Sequence, residues 1–150
     1  MFSGKPERAG QSTDALVGTW KIVSNYTEDQ ATGERRFPYG EHPIGYVVFT
    51  AEGRLIVLFT TEGREPARSE AQRSELLKSM VAYSGIYRVE GDRFITKVDV
   101  SWNKWWNGSE HSRRFTIEGD RLEIVTAWEP VSPRLGSPLR RGIMVWERAS

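Results

Sequence analysis

Hydrophobic side chains recur at every second position along most of this chain, and turn-forming residues separate the runs. Such alternation is typical of β-strands that bury one face, because successive side chains point to opposite sides of a strand. The pattern predicts eight strands: Gly18–Tyr26, Ile44–Thr50, Arg54–Thr61, Ser84–Val89, Arg93–Trp102, Glu110–Ile117, Arg121–Trp128 and Arg141–Arg148. Short Gly-containing joints between neighbouring runs indicate antiparallel turns.

The segment 69–81 is the one stretch with a helical pattern. Ser69 and Gln72 fit a capping box, in which two side chains satisfy free backbone N–H groups at a helix start. Apolar residues then follow at helical spacing, namely Leu76, Leu77, Met80 and Val81. We therefore predict a helix over 69–81 that packs against the sheet. A mobile lid over a binding cavity remains the alternative.

Eight meandering strands would leave two open edges, and closing the sheet into a barrel removes both. We therefore predict an all-β, eight-stranded up-and-down antiparallel barrel, with one short helix between the third and fourth strands. Such a barrel is either filled by its own side chains or holds one small ligand. Residues 1–13 are polar and are expected to be flexible, whereas residues 14–150 are expected to form one barrel domain. The second and third strands are apolar on both faces, which indicates that something covers their outer side.

Alternation also assigns an inward face to each strand, and one of these faces carries charge. His111 and Arg113 share a face with Phe115 and Ile117, because the opposite face of that strand is wholly polar. An unpaired buried arginine is costly, so Arg113 needs a carboxylate, carbonyl groups, water or a ligand anion. Other residues assigned inward are Gly85, Tyr87, Val89, Phe94, Thr96, Val98, Val100, Trp102, Leu122, Ile124, Thr126 and Trp128. Two tryptophans thus end near the loop 103–109, which predicts a polar and aromatic mouth.

Composition narrows the class of partner. Lys+Arg 21 against Asp+Glu 20 gives a formal net charge of +1, which argues against nucleic acid. Without cysteine there are no disulfides or thiolate metal sites. His42 and His111 share no ligand-spaced carboxylates, and no phosphate-binding glycine motif precedes a helix, so we expect neither a metal nor a cofactor. With no signal peptide and no long apolar run, we expect a cytoplasmic protein without membrane insertion.

Several motifs along the chain resemble one family. Gly18-Thr19-Trp20 and the late Arg148 resemble the Gly-x-Trp and terminal Arg pair of calycin barrels, in which the Trp plugs one end and the Arg stacks across it. A longer resemblance, to the bacterial and fungal lipocalin-like domain family, covers Leu16–Trp20, Pro43–Tyr46, Ala82–Tyr87, Val98–Leu122 and Val145–Arg148. At position 111 that family more often has Gln, whereas Arg113 and Phe115 match. The resemblance implies a barrel with a central cavity, and Trp20 and Arg148 as its structural closure, but no particular reaction.

These observations lead to one principal hypothesis and two alternatives. The principal hypothesis is a small-molecule-binding barrel that takes a mostly hydrophobic or aromatic ligand with an oxygen-bearing end. The candidate ligand-binding residues are Arg113, His111, Tyr87, Trp102, Trp128, Tyr46 and Phe115. The first alternative is an isomerase or cyclase of secondary metabolism in which His111 or Tyr87 moves a proton. The second is a filled barrel that serves as an interaction module. A homodimer is compatible with each of them.

Overall fold

Strands dominate the computed structural model, which describes residues 13–149. The strands are β1 Gly18–Asp29, β2 Arg35–Arg36, β3 Ile44–Phe49, β4 Arg54–Thr60, β5 Met80–Glu90, β6 Arg93–Ser101, β7 Glu110–Glu118, β8 Arg121–Val125, β9 Glu129–Pro130 and β10 Leu139–Arg148. The helices are α1 Thr13–Leu16, α2 Glu70–Lys78 and a 3-10 turn, Lys104–Trp106. Antiparallel neighbours run from β1 through β3 to β8 and then to β10, and β10 pairs back with β1.

The eight long strands therefore form a closed antiparallel barrel, and the predicted fold class is confirmed. The two short strands β2 and β9 extend the sheet from β1 and β10 in segments that the sequence pattern had assigned to loops. Strand β8 ends at Val125, three residues earlier than predicted. Residues 1–12, which include most of the segment expected to be flexible, lie outside the described part of the chain.

Helix α2 is shorter than predicted and does not pack as predicted. Ser69 caps it by accepting a hydrogen bond from the Gln72 backbone N–H at 3.1 Å, as the capping box requires. The helix buries none of its residues, and Leu77 is 52% exposed. Met80 and Val81 belong to β5 instead, where they pair with the end of β4. Backbone pairing with a neighbouring strand has overridden the helical spacing of these apolar residues.

Two irregularities shift the inward face of a strand by one residue. In β1, the register with β10 slips between Ile22 and Ser24, and Asn25 rather than Ser24 becomes buried. In β6, the register with β5 slips next to Asp99. Val100 was predicted to face inward but is 56% exposed, which corrects that assignment. An extra residue in one strand of a pair reverses the alternation beyond it.

One end of the barrel is closed by contacts between the first and last strands. The Trp20 side chain is fully buried, and its Nε1 donates to the Leu16 carbonyl at 2.9 Å. The Arg148 guanidinium lies 3.8 Å from the centroid of the Trp20 ring and donates to the carbonyls of Val17 and Ala15 at 2.8 and 3.0 Å. The cation thus stacks on an aromatic face while its N–H groups satisfy the carbonyls at the helix end.

The outer side of β3, β4 and β6 carries five exposed apolar side chains, which we call the outer apolar face. Its members are Ile44, Tyr46, Ile56, Leu58 and Val100, each 46–56% exposed. Helix α2 buries none of its residues, so it does not supply the cover that the sequence pattern indicated. In residues 13–149 no helix has the length and apolar character that crossing a membrane would require.

Candidate functional site

The interior of the barrel contains a cavity of about 370 Å³. This volume lies at the lower end of the range of roughly 300–1,000 Å³ that is typical of small-molecule sites. Its apolar lining consists of Val47, Phe49, Leu55, Val57, Phe59, Val81, Phe94, Trp102, Trp106, Ile124, Met144 and Trp146. Its polar lining consists of Asn25, Tyr39, Tyr83 and Arg113. The walls are thus mostly aromatic and aliphatic, with a few polar groups that could orient a ligand.

Arg113 is the one charged residue in this lining within residues 13–149. Strand β7 places it opposite Phe94 on the inward face. Its Nη2 lies 3.1 Å from Nδ1 of His111, and its Nη1 donates to the Ser112 carbonyl at 3.3 Å. No carboxylate of the described residues forms an ion pair with it. The guanidinium therefore presents positive charge beside an apolar cavity, where a ligand oxygen or anion would be favoured.

His111 connects Arg113 to the mouth loop, residues 102–109, through a directional chain of hydrogen bonds. A guanidinium can only donate, so Nδ1 of His111 is the acceptor and the imidazole proton lies on Nε2. Nε2 donates to Oγ of Ser109 at 2.8 Å, and that hydroxyl donates to the Trp106 carbonyl. The imidazole also stacks on the Trp106 ring, with 4.4 Å between centroids. These contacts hold the Arg113 side chain in place from the mouth side.

The pKa of His111 agrees with its role as a hydrogen-bond acceptor for Arg113. Burial lowers the pKa of His111 from its ordinary value of 6.5, and the positive charge of Arg113 lowers it further. The imidazole is therefore neutral at neutral pH, as an acceptor for Arg113 must be. His111 is not part of the cavity lining, and both of its nitrogens are engaged by protein groups.

Aromatic rings cluster at the mouth next to His111, the hydrogen-bonding partner of Arg113. Trp106 packs against both Trp102 and Tyr83, with centroid distances of 5.1 Å in each case. Burial raises the pKa of the Tyr83 phenol, and the charge of Arg113 opposes this shift only in part. Tyr83 is thus a protonated hydrogen-bond donor near the guanidinium, in a region where the other groups are mostly rings.

Asn25 supplies a second polar wall. It lies on β1, and β8 and β10 separate that strand from β7, which carries Arg113. Asn25 is 9% exposed, lines the cavity, and its side-chain amide forms no hydrogen bond with any described residue. Buried amides are normally hydrogen-bonded, so an unpartnered one in a cavity wall indicates a position for a polar ligand group or water.

Of the seven predicted ligand-binding residues, two line the cavity. Arg113 and Trp102 line the cavity, and His111 holds Arg113 from behind. Tyr87 and Phe115 are buried in the core next to the cavity and do not line it. Tyr87, also a catalytic candidate, donates its hydroxyl proton to the Thr50 carbonyl at 2.9 Å.

Tyr46 and Trp128 lie elsewhere, and their assignment as cavity residues was wrong. Tyr46 is on the outer apolar face, because Gly45 and Val47 take the inward positions of β3. Trp128 follows the end of β8 and lies under the guanidinium of Arg141, 4.4 Å from its ring centroid. The strand alternation that would have turned Trp128 inward ends at Val125.

The sequence pattern missed several lining residues for identifiable reasons. Tyr83 was missed because β5 begins at Met80, four residues before its predicted start at Ser84. Tyr83 lies two residues before Gly85 and therefore continues the inward alternation of Gly85 and Tyr87. Asn25 was missed because of the register slip in β1. Tyr39 comes from the loop between β2 and β3 and packs edge-on against Phe59, and nothing in a period-two pattern marks such a residue.

Metal chemistry receives no support from the described residues. In residues 13–149 no three side chains of the His, Cys, Asp and Glu types lie where they could hold a metal ion together.

A family model described as a lipocalin-like domain matches residues 17–149 of the chain. A search of curated proteins finds no match.

Proposed function

This chain belongs to the lipocalin-like domain family, and we propose that it binds a small, mostly aromatic molecule inside its barrel, with an oxygen-bearing end of the ligand against Arg113. The family and the barrel are consistent with ligand binding in general but specify no ligand. The proposal about the ligand therefore depends on the cavity itself. The volume of about 370 Å³ suits a molecule of one or two rings rather than a long-chain lipid.

One observation carries this proposal: within residues 13–149 the apolar cavity has a single charged lining residue, and no carboxylate of these residues forms an ion pair with it. Burial of apolar ligand surface against the aromatic walls supplies most of the affinity in such a site. The guanidinium supplies orientation, because only an oxygen-bearing end of the ligand can satisfy its remaining N–H groups.

The two alternative functions receive less support. A filled barrel is disfavoured by the size of the cavity. The isomerase or cyclase alternative relied on His111 or Tyr87 as proton carriers. Both residues are outside the lining, and each has its polar atoms bonded to protein groups. A catalytic residue must reach the proton that it transfers, so we favour binding without chemistry.

A pair of substitutions on β4 tests whether binding takes place inside the barrel. Val57 lines the cavity, whereas its neighbour Ile56 lies on the outer apolar face. We expect that titration calorimetry with a panel of small aromatic acids, amides and alcohols identifies ligands of the wild type. Val57→Phe should weaken these by at least about ten-fold, since a new ring takes up ligand volume. Ile56→Phe adds a similar ring outside the barrel and should leave the affinities unchanged. Equal binding by both variants, or no binding by the wild type, would contradict the proposal.

We further propose that two copies of the chain associate through the outer apolar face. Its four members on β3 and β4 are neighbours in the strand pairing, whereas the Arg54–Asp99 ion pair, 2.9 Å long, lies beside Ser84 of β5, between Ile56 and Val100. An apolar centre with a charged rim is the usual anatomy of a protein interface. Two sheets can also pack face to face through such surfaces.

Sedimentation velocity measures this association directly. The wild type should sediment as a dimer at about 100 µM, because association would remove these five half-exposed apolar side chains from water. Leu58→Glu should give a monomer. Leu135→Glu changes an exposed leucine outside this face and should not alter the oligomeric state. A wild type that is monomeric at this concentration would refute the interface.

A further inference from the structure

We infer that the ligand is a small aromatic monocarboxylate with a hydroxyl or carbonyl group at its opposite end. In this arrangement the carboxylate contacts Arg113 and Tyr83, and the opposite polar group binds the amide of Asn25. The inference rests on the proposed function, since it concerns the same cavity. It adds two properties that the proposed function does not contain, namely the charge of the ligand and a second anchoring point.

The single positive charge of the lining selects for a monoanion. Arg113 uses one N–H for His111 and one for the Ser112 carbonyl, so other N–H groups of its planar fork remain for a ligand. A carboxylate matches that fork with two parallel hydrogen bonds. A dianion such as a phosphate monoester would retain one uncompensated charge among apolar walls, because the described lining contains no second cation.

Tyr83 is positioned to assist Arg113 at the same carboxylate. Its ring packs against Trp106, and the same tryptophan stacks on His111, the hydrogen-bonding partner of Arg113. The phenol forms no hydrogen bond with any described residue and lines the cavity. It remains protonated at neutral pH because burial raises its pKa. A protonated phenol donates to a carboxylate and adds no negative charge of its own.

Asn25 is the separate anchor for the other end of the ligand. Going round the barrel, Arg113 and Asn25 are three strand spacings apart, or roughly 14 Å along the wall. The amide of Asn25 can donate to a carbonyl or accept from a hydroxyl. The strands between these two residues, β8 and β10, contribute Ile124, Met144 and Trp146 to the lining, and β3, β4 and β6 contribute the rings of Phe49, Phe59 and Phe94. Aromatic walls of this kind suit a flat aromatic body.

Three matched probes test the charge of the ligand and its second anchoring point separately in titration calorimetry at neutral pH. They are cinnamate, the neutral cinnamamide and para-hydroxycinnamate. Cinnamate should bind the wild type at least about ten-fold more tightly than cinnamamide, since a charged hydrogen-bonded pair is made only with the acid. The added hydroxyl of para-hydroxycinnamate should increase affinity by about three- to ten-fold, as expected for one hydrogen bond.

Two variants assign each preference to its residue. Arg113→Met should bring cinnamate and cinnamamide within about two-fold of each other. Asn25→Leu should abolish the preference for the hydroxylated acid and retain the preference for cinnamate over cinnamamide. Tyr83→Phe, which preserves the ring, should reduce the acid preference by about three- to ten-fold. Circular dichroism and melting curves verify that each variant is folded.

The outcomes distinguish this inference from the proposed function. If cinnamate and cinnamamide bind the wild type equally well, the inference that the ligand is a monoanion is wrong, while the proposal of a binding cavity stands. If Asn25→Leu retains the preference for the hydroxylated acid, the second anchor is wrong. If none of the three probes binds although another member of the aromatic panel does, the inference is wrong and the proposed function stands; if no member of the panel binds, both fail.

Discussion

Replacing His111 by leucine should loosen Arg113 and destabilise the mouth of the barrel. The substitution removes the hydrogen bonds to Nη2 of Arg113, at 3.1 Å, and to Oγ of Ser109, at 2.8 Å. Each such bond contributes about 0.5–1.5 kcal/mol, so we expect a loss of about 1–3 kcal/mol in the free energy of unfolding. The lower half of this range applies because the site is only half-buried. His111→Gln retains an acceptor for Arg113 and should lose about half as much.

The contribution of His111 should also depend on pH, and its sign follows from the lowered pKa. The folded-state pKa of His111 lies below its ordinary value of 6.5, so the unfolded chain takes up its proton at a higher pH than the folded chain does. Between these two pKa values the unfolded state binds more protons, and the free energy of unfolding falls as the pH is lowered. The stabilisation is complete above pH 6.5 and is lost as the pH falls through the folded-state pKa.

Urea unfolding followed by tryptophan fluorescence at about pH 8 and about pH 5 measures this effect on either side of a typical histidine pKa. The wild type should exceed His111→Gln in stability at the higher pH, and the difference should shrink at the lower pH. His42 is present in both proteins, so its contribution cancels, and His42→Gln serves as the matched control. A difference that is the same at both pH values would refute the argument that neutral His111 holds Arg113.

Three further substitutions, with Gly91→Ala as the control for Gly45→Ala, test the barrel itself in urea and thermal unfolding. Arg148→Met should lower the free energy of unfolding by about 2–4 kcal/mol, because it loses two carbonyl hydrogen bonds and the cation–π contact with Trp20; an unchanged stability would contradict the closure. Gly45→Ala should prevent folding, since the new Cβ would lie 2.1 Å from a backbone oxygen of β4. Gly91→Ala has open space around the new Cβ and should lower the free energy of unfolding by only about 1–2 kcal/mol. Capping residues often contribute about 1 kcal/mol. Because α2 buries no side chain, Ser69→Ala should nevertheless change the free energy of unfolding by less than about 0.5 kcal/mol. A larger loss would mean that α2 supports the barrel.

The strands and their closure followed from the sequence because period-two alternation is a local property of each segment. The same property explains the error at α2, since Met80 and Val81 fit a helical stripe and a strand equally well. Which pattern prevails depends on the partner strand β4, which lies about twenty residues away in sequence. The sequence pattern contains no information on such a distant partner.

The candidate site was predictable in part. Placing His111 and Arg113 on one inward face required only the alternation of β7, and the structure has both on that side of the strand. Val100 was misplaced and Asn25 was missed because one extra residue in a strand reverses the faces beyond it, and no local residue type marks that position. The partners of Arg113 depend on how the mouth loop folds back onto His111, which strand periodicity does not describe.

A crystal structure with para-bromocinnamate tests the central claim, that the barrel interior is the binding site, most directly. Anomalous scattering locates the bromine without reference to the protein density. We expect one strong bromine peak inside the cavity, on the side of Asn25, with the carboxylate within hydrogen-bonding distance of Arg113. Crystals at saturating ligand with bromine only on the outer surface, or with no bromine inside the barrel, would contradict the claim.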